Sequence, residues 1–199
     1  MLNIVLVEPE IPANTGNIGR TCVLTGSKLH LVGPLGFDLG DRAVQRAGLA
    51  YWQSLDVTTY ANWDEFMRVN LRGDFSHVHL LTKAGTRTYV EASYREGDWL
   101  VFGRESSGLD RKLLAAHPER CECIPMLSDD ALSNASSWHE RHEQLHPELR
   151  RDICGNFVDS REGRITSLNL SNAVAIVTYE ALRQLGFPNL TLPVRHCDA

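Results

Sequence analysis

Residues 9–20 read PEIPANTGNIGR, directly after the apolar run LNIVLV. A short strand entering a glycine turn that opens a helix is a common cradle for the phosphates of a dinucleotide. This turn carries only GNIG, Gly16 and Gly19, without a third glycine, and it ends on Arg20. Three further stretches combine glycine, serine and asparagine: GRESSGL (103–109), IPM (124–126) and SLNLSN (167–172). Small residues of this kind let a ligand approach the backbone, whose N–H and C=O groups can read an adenine edge. Each stretch also has a structural reading. GRESSGL can be a helix start, Glu105 a first-turn carboxylate favoured by the helix dipole, and Ser167 or Asn169 a helix cap.

Residues 142–146, HEQLH, match the HExxH pattern of zinc hydrolases. That chemistry needs both histidines one turn apart on a helix and a further ligand. Pro147 follows the second histidine and pushes it away from helical angles. No third ligand stands at a recognisable spacing, although His139 is near, so no metal is expected.

The elements that would position these groups are short. LNIVLV (2–7), KLHLVG (28–33), HVHLLT (77–82), DWLVFG (98–103) and CECIPM (121–126) read as buried strands. Helical segments are expected at 15–25, 41–48, 61–71 and 108–116. Alternation of this kind implies a parallel sheet covered on both faces. In 169–185, Leu170, Ala173, Val174, Val177, Ala181, Leu182 and Leu185 recur at helical spacing, and Gly186 with Pro188 supplies a stop. Ala175 and Ile176 widen that apolar stripe, which suggests contact with a second subunit as well as the core. Residues 127–166 interrupt the pattern: about forty residues stand where a handful is usual. They read as a charged excursion inserted into one domain spanning 1–199, with a short helix suggested by Trp138, Leu145, Leu149 and Ile153.

The chain has 199 residues and a net charge of −5. That length suits one domain, and that charge argues against a sequence-wide grip on nucleic acid. An RNA partner would need a local patch, with Arg42, Arg46, Lys83, Arg87, Arg104, Arg111 and Lys112 as candidates. The first apolar run meets Pro9 and lacks a basic flank, so no signal peptide or membrane anchor is expected. Five cysteines without CxxC spacing read as free thiols in a reducing cytoplasm.

Taken together, NIVLVEPEIPANTGNIGR, GRESSGL, IPM and SLNLSNAVAIVTYEALRQLGF resemble, in order, the motifs of the SPOUT superfamily of RNA methyltransferases. More narrowly they resemble the small tRNA 2′-O-methyltransferases that modify the ribose of wobble cytidine or uridine 34. The likeness covers nearly the whole chain outside the insert. It implies an α/β fold, a parallel sheet flanked by helices, whose C-terminal segment is threaded into a trefoil knot, a topology that connection rules alone would reject. It implies S-adenosylmethionine as cofactor, held by Leu80, Thr82, Gly103, Ile124 and Ser167, and a cytoplasmic homodimer in which two subunits complete each site. It implies the tRNA anticodon stem-loop as partner, with neither membrane nor DNA involved. Asn14 and Arg20 match the asparagine and arginine of the first family motif, and Glu105, Ser167 and Asn169 match further polar positions of the active site. Tyr179 falls near the implied dimer interface. Arg20 would fix a phosphate by a two-pronged contact and favour negative charge on the attacking oxygen. A guanidinium keeps its proton under ordinary conditions, which suits that role better than general-base work, and an ordinary helix-surface arginine is the plain alternative. Two other functional readings stand beside this one: an inert knotted RNA-binding module, and a 2′-O-methyltransferase of another RNA. A nicotinamide-linked dehydrogenase suffers from the missing third glycine.

Overall fold

Seven short strands, β1 (Asn3–Val7), β2 (Lys28–Val32), β3 (Val57–Tyr60), β4 (Val78–Leu81), β5 (Arg87–Thr88), β6 (Trp99–Phe102) and β7 (Cys121–Cys123), form one sheet. Its order is β3-β2-β1-β6-β4-β7-β5, and every pairing is parallel. The structure is a computed structural model that describes residues 1–39, 52–127 and 167–191. The expected helix at 41–48, the HEQLH motif, nearly all of the 127–166 excursion, Arg42, Arg46, Cys154 and Cys197 lie outside those residues.

The central strands are apolar along their whole length because both sheet faces are covered. One core gathers Ile4, Leu6, Leu29, Leu31, Leu100 and Phe102 beneath α1 (Pro12–Thr25) and the last helix. The other gathers Val5, Val32, Phe66, Val78, Leu80 and Val101 beneath α2 (Trp63–Phe66) and α3 (Arg111–Ala116). The last helix, α4 (Leu170–Gln184), packs beside α1 and buries Val174, Val177, Ala181 and Leu182.

Local chemistry sets the ends of these helices. Pro12 occupies the first turn of α1, where its missing N–H costs nothing, so the helix starts earlier than the expected position 15. Gly26 closes it in the left-handed conformation, φ 67°. Asn169 caps α4: its Oδ1 accepts from Ser171 N at 2.9 Å and from Asn172 N at 3.4 Å. Two expectations change. Residues 108–110 are not helical, because Gly108 (φ 71°) closes a turn and Asp110 caps α3, accepting from Lys112 N at 2.6 Å. The expected helix 61–71 is α-helical only to Phe66 and continues as a π-helical turn, Met67–Leu71. Among the described residues no helix is long and apolar enough to cross a membrane, and Cys22, Cys121 and Cys123 are free thiols.

Candidate active site

The chain lays down β2 and β3 on one side of β1 and places β6, β4, β7 and β5 on the other, so the strand order reverses between β1 and β6. Open parallel sheets bind ligands outside the carboxyl ends of the strands at such a reversal. The loops that leave β1 and β6 there are EPEI (8–11), which opens α1, and GRESSGL (103–109).

These loops interlock through side chains. Glu105 Oε2 accepts from Glu10 N at 2.8 Å, and Oε1 accepts from Ile11 N at 3.3 Å and Asn14 Nδ2 at 3.0 Å. Ile11 is the N-cap of α1 and has no capping side chain of its own. A carboxylate from 94 residues away therefore supplies the acceptor and the negative charge that a helix start favours. Glu10 answers in kind: its carboxylate accepts from Ser106 N and Ser106 Oγ, both at 2.9 Å. Arg104 pairs with Glu8, whose φ of 53° places a non-glycine residue in the left-handed region at the end of β1. That conformation costs roughly 1 kcal/mol and persists where surrounding contacts determine it.

The chain of contacts continues into α4. Asn169 Nδ2 donates to Asn14 Oδ1 at 2.9 Å, so Glu105, Asn14 and Asn169 form one hydrogen-bonded series across three distant stretches of sequence. Asn14 is buried and fully committed to this series. The capping reading of Asn169 therefore holds, and the same side chain joins the junction through Asn14. Glu105, by contrast, is not in the first turn of a following helix; it serves the start of α1 instead.

Thr82, Gly103 and Ile124 converge beside this junction. Leu81 is level with both Phe102 and Glu122 in the sheet, so Thr82 and Gly103 are the next residues of neighbouring strands and Ile124 follows on β7. Thr82 N donates to the Glu122 carbonyl at 2.9 Å. Gly103 has no room for a side chain: a Cβ would lie 2.1 Å from the Gly108 carbonyl carbon. Ser167 is exposed in the bend that leads into α4. Leu80 lies deeper than these residues. It sits in the middle of β4, fully buried in the core under α2 and α3, so its side chain has no surface to offer a ligand.

Arg20 is exposed on α1, on a different side of the helix from buried Asn14. Two cations suggested for an RNA patch are engaged within the chain: Arg104 with Glu8, and Arg87, which donates to Glu122 Oε1 at 2.7 Å. Lys83, Arg111 and Lys112 are exposed. Glu8, Glu10 and Ser106 escaped the sequence reading. The signal for them was present in the adjoining PE and ES dipeptides, but only the neighbouring positions of β1 and β6 reveal that they meet.

An open parallel sheet with small-residue loops interlocked at its switch point is the architecture of an α/β protein built to hold a nucleotide-like cofactor. The chain belongs to the SpoU methylase family, whose profile, described as SpoU rRNA Methylase, matches residues 1–136. It is 40% identical over 188 residues to the tRNA (cytidine(34)-2′-O)-methyltransferase of Saccharophagus degradans, covering 94% of this chain and 97% of that one. A solved structure described by the 2-OH methylation of C/U34 on tRNA superposes with a TM-score of 0.70 at 35% identity, over 94% of this chain and 97% of that chain. The SpoU methyltransferase AviRb from Streptomyces viridochromogenes, solved with the cofactor AdoMet, shares the fold with a TM-score of 0.65 at 20% identity, over 93% of this chain and 58% of that chain.

Proposed function

We propose that this chain methylates the ribose 2′-oxygen of the wobble nucleotide, cytidine or uridine 34, in the tRNA anticodon stem-loop, using S-adenosylmethionine. The observation that carries the reading is the Glu105–Asn14–Asn169 series, which gathers the family motifs at the switch point of a chain alike end to end with tRNA (cytidine(34)-2′-O)-methyltransferases. The residues present suit an adenosyl donor. Gly103 leaves the end of β6 without a side chain, Ile124 offers a half-buried apolar contact, and Thr82 and Ser167 bring polar groups to the rim. When bound, the cofactor supplies the electrophilic methyl group.

The chain's own part is positional, and alignment of reacting groups accounts for a large share of such a rate gain. Glu105, Asn14 and Asn169 hold the three loops in register. Arg20 takes the nucleotide's phosphate in a two-pronged contact and favours charge on the ribose oxygen.

Arg20 stands in a stripe with Ala13, Asn17 and Leu24 along α1, beside an equally exposed stripe of Asn172, Ile176, Tyr179 and Arg183 on α4. Leu24 is 67% exposed and Tyr179 48%, which is an unusual amount of apolar and aromatic surface on two adjacent helices. This face fits a homodimer in which Arg20 of one copy serves the crevice of the other. The trefoil knot, the insertion within a single domain and a cytoplasmic location belong to the same reading. The decisive assay incubates the protein with total tRNA and tritiated S-adenosylmethionine and maps the labelled nucleoside. Label in 2′-O-methylcytidine or 2′-O-methyluridine at position 34 supports the reading, label at another site or in another RNA replaces the substrate, and tRNA binding without label leaves an inert module.

A further inference from the structure

Below the crevice lies a charged cluster that the site chemistry does not use. His79 of β4 is 3% exposed and stands between Glu122 of β7 (0%) and Asp98, just ahead of β6 (1%). Its Nδ1 is 2.7 Å from Glu122 Oε1 and its Nε2 is 3.0 Å from Asp98 Oδ2. A neutral imidazole has one N–H, and two carboxylate oxygens at these distances need two. Other donors also reach the two carboxylates. Asp98 also receives Arg95 N at 2.6 Å and faces His77 Nδ1 at 2.8 Å. Glu122 also receives Arg87 Nη2 at 2.7 Å, and its Oε2 lies 3.2 Å from Tyr94 OH, whose one proton has a nearer acceptor in Tyr89 O at 2.8 Å. The main-chain and guanidinium donors on these carboxylates leave their lone pairs to His79, an arrangement that favours its imidazolium form.

The cluster is fastened to the crevice from three directions. The main chain of Glu122 accepts the N–H of Thr82, and Ile124 lies two residues further along β7. Gly85, in the loop after Thr82, lies so close to this strand that a Cβ would come within 2.4 Å of the Glu122 carbonyl carbon. Tyr94 reaches α4, because its N–H donates to Gln184 Oε1 at 3.1 Å while Gln184 Nε2 donates to Ala92 O at 3.0 Å and Glu180 Oε1 at 2.9 Å. A buried ion cluster of this sort is rarely a gain in stability over apolar packing, but removing one member leaves an uncompensated charge. Its effect is to fix geometry, and the geometry it fixes is that of the strand ends carrying Thr82 and Ile124.

Resting on the methyltransferase reading, we propose that His79 is a positioning residue for the cofactor: its imidazolium clamps β4 to β7 and Asp98, and cofactor affinity follows its protonation. The groups facing it, among the described residues, are Asp98 and His77, Glu122, Arg87 on β5 and Tyr94, with Glu180 and Arg183 of α4 behind Tyr94. Burial by itself would lower the His79 pKa, but hydrogen bonds to Asp98 and Glu122 and their charges outweigh it and hold it above the ordinary histidine value. The sign follows: with the folded value raised, the clamp is complete below the ordinary pKa of about 6.5 and is lost as pH rises through the higher native value.

Calorimetric titration with S-adenosylhomocysteine between pH 6 and 9, beside histidine NMR of the same samples, tests this. The dissociation constant should rise roughly tenfold across the His79 titration, with proton uptake on binding in that interval. Glu122→Gln should move both midpoints to lower pH together, whereas the ligand's own amine titrates the same in both proteins. His79→Gln should raise KM for S-adenosylmethionine and leave kcat within about twofold. An affinity that ignores the His79 titration overturns the proposal, as does a His79→Gln protein that melts lower but binds with the wild-type constant. The wild-type measurement stands even where a variant does not fold. No binding of S-adenosylhomocysteine at any pH would instead defeat the methyltransferase reading, and this inference with it.

Discussion

Glu105→Gln isolates what the Glu105 carboxylate does. The native side chain serves three donors with two oxygens: Glu10 N on Oε2, and Ile11 N with Asn14 Nδ2 on Oε1. Glutamine has one oxygen and an amide that is itself a donor. If its oxygen takes the Oε1 place, the amide faces Glu10 N; if it takes the Oε2 place, Ile11 N and Asn14 Nδ2 are left without an acceptor. Stranding one part-buried donor costs about 1–3 kcal/mol, and removing a negative charge from the start of α1 adds about 0.3–1 kcal/mol. Together the loss is about 1.3–4 kcal/mol, which for a domain of this size lowers Tm by about 3–16 °C. Differential scanning calorimetry and the tritiated-methyl assay should register stability and activity falling in the same variant, because the three loops are held by one group. Lost activity with Tm within about 1 °C of wild type would refute this account and put Glu105 on the substrate instead. Lost stability with full activity would refute it from the other side.

Three further outcomes follow from the same geometry. Arg20→Ala should abolish methyl incorporation while S-adenosylhomocysteine affinity, measured by calorimetry, stays within about twofold, since Arg20 lies on an exposed side of α1 away from the strand ends. Gly103→Ala forces a Cβ to 2.1 Å from the Gly108 carbonyl carbon, so the 103–109 turn must open; cofactor binding should weaken by at least about tenfold with a lower Tm. Ile176→Asp places a charge in the exposed stripe of α4, and sedimentation velocity should show monomer with methyl transfer lost, whereas an active monomer would remove the partner from the mechanism.

The sequence shows most clearly those features that depend on near neighbours. The five strands read from apolar runs are all present, because a strand buried on both faces needs no partner to look apolar. The helix α4 ends within a residue of expectation, its limits being written in its own cap and stop. What stayed hidden depends on distant partners. β3, VTTY, is an edge strand with two exposed threonines, and β5 is two residues long; neither carries a pattern apart from the sheet that accepts it. Asn14, Glu105 and Asn169 were visible as residues matching a family, but their joint role as one hydrogen-bonded series spans 91 and 155 residues of separation.

The two buried histidines of the sheet carry that point into electrostatics. His30 and His79 both sit mid-strand in short apolar runs, and nothing local separates them. His30 lies among Tyr60, Phe66 and Trp99, with its ring nitrogens against Tyr60 OH and Asn3 Oδ1, so burial drives its pKa down to about 4 and it stays neutral. His79 meets two buried carboxylates instead, which hold its pKa above the ordinary histidine value. The difference arises from Asp98 and Glu122, which no local pattern in the sequence singles out. Glu122 is fully buried on a three-residue strand, a position where an unpaired carboxylate would cost several kcal/mol, on the order of 3–5 when a partner is removed. A glutamate in that place is therefore a strong sign that a cation has been brought to it, and His79 with Arg87 is what the fold brings.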